Sequence, residues 1–184
     1  MQRLLIYLYL LIIVAETRAQ KFDAFEIESD QLVWRYTYTY KGEQDSLRRE
    51  VVSMLKSKIY TQQVVRNELG YNGEIRHYRV DCQRYGRRYG NTPLIYWSGE
   101  WSGKFIIEVF QNGYRVTIYG LYFENEVQPT SRHQNKSPRK GFYVSEVWKK
   151  GHPVFKRNKL ADMALMSQGL RDAFDIRQYT PMVN

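Results

Sequence analysis

From Leu32 to Tyr40 the chain reads LVWRYTYTY, and its residue types alternate with a period of two. Trp34, Tyr36, Tyr38 and Tyr40 fall on one side and Val33, Arg35, Thr37 and Thr39 on the other, the pattern of a strand with two unlike faces. After Lys41-Gly42-Glu43-Gln44, where Asp45 or Ser46 can cap a helix, the period changes. Leu47, Val51, Met54 and Leu55 recur at i, i+4, i+7 and i+8, which is one stripe of an amphipathic helix of about three turns. Alternation returns around two Asn-Gly pairs. Residues 62–69 and 74–85 flank Tyr71-Asn72-Gly73, and residues 101–110 and 114–123 flank Gln111-Asn112-Gly113. Asn-Gly suits a type I′ turn, whose central residues both take positive φ, so two hairpins are predicted. Phe105, Ile107 and Val109 face one way in the second, where Tyr114, Val116 and Ile118 can pair with them.

The remaining segments carry weaker patterns. Residues 20–31 lack periodicity and read as an N-terminal arm. Residues 86–103, rich in Gly, Arg and Tyr, read as a mobile loop, and 142–148 as a short strand or turn. Residues 128–141 (QPTSRHQNKSPRKG) are polar, basic and broken by two prolines, the composition of an exposed linker. A last helix is predicted over 160–174, with Leu160, Met163, Ala164, Leu170 and Phe174 on one side and Gly169 weakening it slightly. The expectation is an α+β domain over 20–127 with an antiparallel sheet of about five strands and helices on one face. The linker 128–141 and a C-terminal extension with a helix, 142–184, follow it.

The order of these elements, carried by LVWRYTYTYKG, DSLRREVVSMLKS and FIIEVFQNGYRVTIYGLYFE, resembles a family of secreted Bacteroidetes proteins of unknown function described as having a TBP-like fold. The resemblance covers about residues 32–126. It implies a curved antiparallel sheet with helices on one face, and it brings no activity with it.

The first residues set the compartment. Met1-Gln2-Arg3 is followed by a run of about a dozen apolar residues and Tyr, then by Glu16-Thr17-Arg18-Ala19-Gln20. A charged start, a short apolar run and small residues before a cut make a signal peptide over 1–19, with cleavage after Ala19. The run is shorter than the roughly 20 apolar residues of a bilayer span, and no later segment is long enough for one. No Cys stands at the cut to take a lipid, so a periplasmic or secreted protein is expected. The single cysteine, Cys82, excludes an internal disulfide, so the core alone must hold the fold.

Composition sharpens this picture in two places. Aromatic residues make up 15% of the chain, with 16 Tyr, which favours half-buried strand faces. The formal charge is +9; Arg3 and Arg18 against Glu16 account for +1, leaving about +8 after cleavage. Such a charge attracts anionic partners. Outside the cytoplasm these are anionic glycans and envelope polymers, and export argues against nucleic acid.

Candidate chemistry is sparse. His77, His133 and His152 have no His or Cys partner at metal-ligand spacing, so no metal or cofactor is expected. His77 and Cys82 would sit on opposite faces of a strand and cannot form a catalytic pair. Glu100, Glu108, Glu124 and Glu126 lie on or near strands, but nothing singles out two of them for hydrolysis. Asn135-Lys136-Ser137 matches the N-glycosylation acceptor pattern. The stretch with most character interleaves Arg76, Arg79, Arg84, Arg87 and Arg88 with Tyr78, Tyr85 and Tyr89. Guanidinium forks suit phosphate and carboxylate, while Tyr rings offer flat faces for sugars or bases. Arg76, Arg79, Arg84, Tyr85, Arg87, Arg88 and Tyr89 are therefore the candidate ligand-binding residues, with no catalytic residue assigned. The expected function is a non-catalytic binding or envelope protein. The alternatives are a hydrolase acting on envelope polymers and an accessory subunit of an envelope assembly.

Overall fold

The computed structural model of the chain describes residues 21–123, 141–150, 152 and 154–178. The signal segment, the glycosylation pattern, His133, Glu124, Glu126 and all of the 128–141 linker except Gly141 lie outside the described residues.

The fold is α+β. The strands are β1 (Lys21–Phe22), β2 (Phe25–Glu28), β3 (Gln31–Thr39), β4 (Thr61–Arg66), β5 (Gly70–Tyr78), β6 (Trp101–Phe110), β7 (Gly113–Phe123) and β8 (Gly141–Phe142). The helices are α1 (Gln44–Ser57), α2 (Leu94–Trp97), α3 (Tyr143–Val147) and α4 (Leu160–Phe174). One open antiparallel sheet runs β1-β2-β3-β7-β6-β5-β4, and β8 pairs with the far end of β7. This exceeds the five strands expected, chiefly because residues 21–31 are not a loose arm. They form β1 and β2, joined to β3 through Ser29 and Asp30, both at positive φ (48° and 63°). Those two residues make the only two-residue turn with both central φ values positive among the described residues, and neither is Gly.

The two Asn-Gly pairs do other work. Asn72 and Gly73 lie inside β5, where the Phe105 ring from β6 covers the glycine; a Cβ there would come 2.7 Å from Phe105 Cζ. The first hairpin instead turns at 67–69, held by Asn67 Oδ1 accepting from Leu69 N (3.0 Å) and Gly70 N (2.7 Å). In the second hairpin Phe110 pairs with Gly113, so the turn residues are Gln111 and Asn112, and neither has positive φ. Gly113 is required because the Tyr38 carbonyl of β3 packs where a side chain would stand.

Core residues follow the alternation. Trp34, Tyr38, Phe105, Ile107, Tyr114, Val116 and Ile118 are buried on one sheet face, under α1 (Leu47, Val51, Met54, Leu55) and α4. Burying a large apolar side chain contributes roughly 1.5–3 kcal/mol, so this face dominates the stability. Two polar side chains inside it are paired with α4: Trp34 Nε1 donates to Ser167 Oγ (3.0 Å) and Tyr38 Oη to the Arg171 carbonyl (2.7 Å). The 160–174 helix thus packs directly on β3.

Residues 86–103 also depart from expectation. A 3₁₀ turn (Tyr89–Asn91) and α2 replace the mobile loop, and Trp101–Gly103 already belongs to β6. The physical reason is aromatic packing. Tyr96 and Trp101 are fully buried against Tyr143 of α3, with ring centroids 6.1 and 5.1 Å away, and Tyr96 Oη bonds Tyr143 Oη at 3.0 Å.

Candidate functional site

The face turned away from α1 and α4 is where the sheet is open. Along its strands the exposed positions form cross-strand ion pairs. Arg35 bonds Glu26 and Glu28, and Arg115 donates to Glu108 at 2.8 Å. The Arg35 bond holds the Glu28 carboxyl below the usual carboxylate range, and the Arg115 bond does the same for Glu108.

Two adjacent bulges break this face. On β5, Arg76 and His77 together oppose Ser102; on β7, Gly120 and Leu121 together oppose Gly103. Each places one residue in the left-handed region, His77 at φ 54° and Gly120 at φ 64°. Glycine adopts this conformation freely and His tolerates it better than most residues. The exposed His77 ring is anchored by Nδ1 to Glu100 Oε2 (2.8 Å). Extra residues in both strands increase the local twist, and between β3, β7, β6 and β5 they open a groove of about 590 Å³. Its walls include Gln31, Glu74, Arg76, Lys104, Tyr119 and Tyr122. Tyr119, Lys104 and Glu74 stand side by side in register across β7, β6 and β5. Arg76 bonds Glu74 Oε2 through Nε (2.8 Å) and Nη2 (2.6 Å), so that oxygen is occupied and the charge is paired. Lys104 is exposed and makes no ion pair among the described residues.

The seven sequence candidates fall in four places. Arg76 lines the groove. Arg79 bonds Glu100 (Nε–Oε1 3.2 Å); this bond and the one from His77 lower the Glu100 carboxyl. Arg84, Tyr85 and Arg87 dock on the C-terminal segment. Arg84 Nη2 lies 3.1 Å from Gln178 Oε1 and 3.2 Å from Asp172 Oδ2, Tyr85 Oη donates to Asp172 Oδ2 (2.9 Å), and Arg87 donates to the Ala161 carbonyl (2.8 Å). Burial and the Asp172 bond push the Tyr85 phenol up. Arg88 and Tyr89 are exposed beyond that contact, Tyr89 packing edge-on against Trp97 at 5.6 Å. The interleaved stretch is thus largely a strap tying the β5–β6 connection to α4.

The groove lining offers charged groups, aromatic rings and hydrogen-bonding groups. Cys82 is buried, its thiol directed at the Tyr96 carbonyl (3.2 Å) and pushed up by burial, while His77 faces solvent. Glu100 and Glu108 are tied to arginines with lowered pKa, the opposite of what a general acid needs. Among the described residues no three His, Cys, Asp or Glu side chains come together as metal ligands, and no helix is long and apolar enough to cross a membrane. Sequence reasoning missed Lys104, Tyr119 and Tyr122. Alternation puts Lys104 opposite in facing to Phe105, but only the strand register brings it beside Tyr119 and Glu74.

The fold and groove define a class, an open-sheet α+β domain with a trough of mixed apolar, aromatic and charged lining. Beyond that class, comparison with family models, curated proteins and solved structures gives no match to this chain.

Proposed function

We propose that this is an exported, non-catalytic binding protein, periplasmic or secreted, that holds an envelope polymer against the open face of its sheet. The observation that carries the reading is the groove: about 590 Å³, open to solvent, and lined by two tyrosines and the apolar Leu32, Ile75, Leu121 and Val144, with a small set of charged and amide groups. Sites of this composition recognise ligands by stacking and hydrogen bonding. The lowered carboxylates of Glu100 and Glu108 support binding over hydrolysis. The same reading takes the domain as TBP-like and related to the secreted Bacteroidetes family that its sequence resembles. An open antiparallel sheet with both long helices on one face supports this.

Two experiments test it. Mass spectrometry of the protein from its native host should find an N-terminus at Gln20; an intact Met1 overturns export. The purified mature chain should co-sediment with envelope preparations of that host, and Tyr119→Ala should release it. Co-sedimentation that Tyr119→Ala leaves unchanged removes the groove from the proposal.

A further inference from the structure

Resting on the groove as the binding site, we infer that its ligand is an acidic saccharide, a chain of sugars in which some rings carry a carboxylate. Three observations lead there. The first is a local charge imbalance. Glu74 is taken by Arg76, and Asp30, at one end of the groove, by Lys150 (2.5 Å), which leaves the Lys104 ammonium without an anion among the described residues. The second is the row in which Lys104 stands. Tyr119 is its in-register neighbour on β7 and Glu74 its neighbour on β5. A sugar ring stacked on Tyr119 would present a ring carboxylate to Lys104 and hydroxyl donors to Glu74. The third is the shape. The groove crosses β3, β7, β6 and β5, three inter-strand spacings or about 14 Å, which suits a short run of an extended chain more than a compact metabolite.

The carboxylates around the groove decide between anionic polymers. A polyphosphate or nucleic-acid strand would carry a charge at every unit past Asp30 and Glu74, and among the described groove residues only Lys104 is unpaired to meet it. A saccharide with spaced acids meets one cation with one anion and uses the carboxylates as hydroxyl acceptors.

The test is calorimetric titration of the mature chain with four probes: a hyaluronan oligomer, in which every second ring is a glucuronate, the same oligomer methyl-esterified, a neutral malto-oligosaccharide and single-stranded oligothymidylate. The acidic oligomer should bind at least tenfold more tightly than its ester. Lys104→Met should remove that preference while leaving ester binding unchanged, and Arg88→Ser should change nothing. Tyr119→Ala should abolish binding of both, and Tyr119→Phe should retain it. Equal affinity for acid and ester, with Tyr119→Ala still abolishing both, overturns the acidic ligand and leaves the groove reading standing. Binding of an oligosaccharide that Tyr119→Ala does not touch overturns both. Binding of the oligothymidylate alone, or of no probe at all, overturns the saccharide.

Discussion

Removing one hydroxyl, in Tyr114→Phe, should cost far more than a surface change of that size. Tyr114 is fully buried on β7, stacked on Tyr38 with ring centroids 4.6 Å apart. Its Oη donates to the Phe174 carbonyl at 2.6 Å and accepts from the Ile176 amide at 3.1 Å, so one oxygen serves both backbone groups at the end of α4. Phenylalanine keeps the ring packing and strands a buried carbonyl and a buried N–H together. Each stranded group costs about 1–3 kcal/mol, and with some relaxation of the chain end the pair should cost about 2–4 kcal/mol. At about 2–4 °C per kcal/mol for a chain of this size, that lowers Tm by about 4–16 °C. Tyr38→Phe is the internal control: its hydroxyl makes a single, partly buried bond to the Arg171 carbonyl, worth about 0.5–1.5 kcal/mol. Urea unfolding followed by tryptophan fluorescence gives both values, with an unchanged m value showing that only stability moved. A Tyr114→Phe cost under about 0.5 kcal/mol, or below that of Tyr38→Phe, would refute the assignment of that hydroxyl as the joint between sheet and C-terminal segment.

Other expectations follow from the same geometry. Gly73→Ala places a methyl against the Phe105 ring and the Gln62 carbonyl (2.9 Å) and should destabilise by about 1–3 kcal/mol, read in the same urea titration; a neutral result would mean that the ring moves freely. Cys82 should react with a thiol reagent only in denaturant, since its sulfur is buried and its pKa raised. Labelling at native rates comparable to a free thiol would contradict its place in the core. Stability should fall as pH drops below about 4, because Glu28, Glu100, Glu108 and Asp175 are all lowered in the folded chain. Each contributes stability above its unfolded pKa that is lost as pH falls through the folded one. In Asp175 the bonds from Arg177 outweigh burial, which acts the other way. Asp162, raised by burial, has the opposite sign and should soften the loss. Glu108→Gln should flatten the acid limb measured by thermal melts from pH 2 to 7, and an unaltered limb would remove Glu108 from the account.

The parts of the fold legible in the sequence were those with long, clean periodicity. β3, α1 and the strands around Gln111-Asn112 follow alternation or a helical stripe over nine or more residues, and 160–174 is helical from end to end as the stripe predicted. The parts that were not legible are governed by contacts between segments remote in sequence. Nothing local tells that Phe105 will cover Gly73, so Asn72-Gly73 reads as a turn when it is a glycine made necessary by a ring. Short β1 and β2 have no room to show a period, and their turns rest on Asp23, Ser29 and Asp30 at positive φ instead of on glycine. The 86–103 stretch looks like a loop because its buried rings, Tyr96 and Trp101, find their partner in Tyr143 of α3, more than forty positions on. The candidate site fared similarly. The Arg/Tyr stretch was visible as composition, yet most of it is bound by the protein itself.

That outcome bears on what the net charge of +9 means. Arg35, Arg76, Arg79, Arg84, Arg115, Arg171 and Arg177 each pair with a carboxylate, so these guanidiniums act locally as structural cations. Their pairing leaves the summed field positive, and over distances beyond a Debye length of about 8 Å that field is screened at physiological salt. Within that range the net charge can raise the rate at which an anionic polymer is captured without selecting where it binds. Selection falls to groups that are both unpaired and held beside something else a ligand can use. Lys104 meets this condition because two bulges open the sheet around it and the register sets Tyr119 at its side. A basic composition is thus a weak guide to the site, and the irregularities of the sheet are a stronger one.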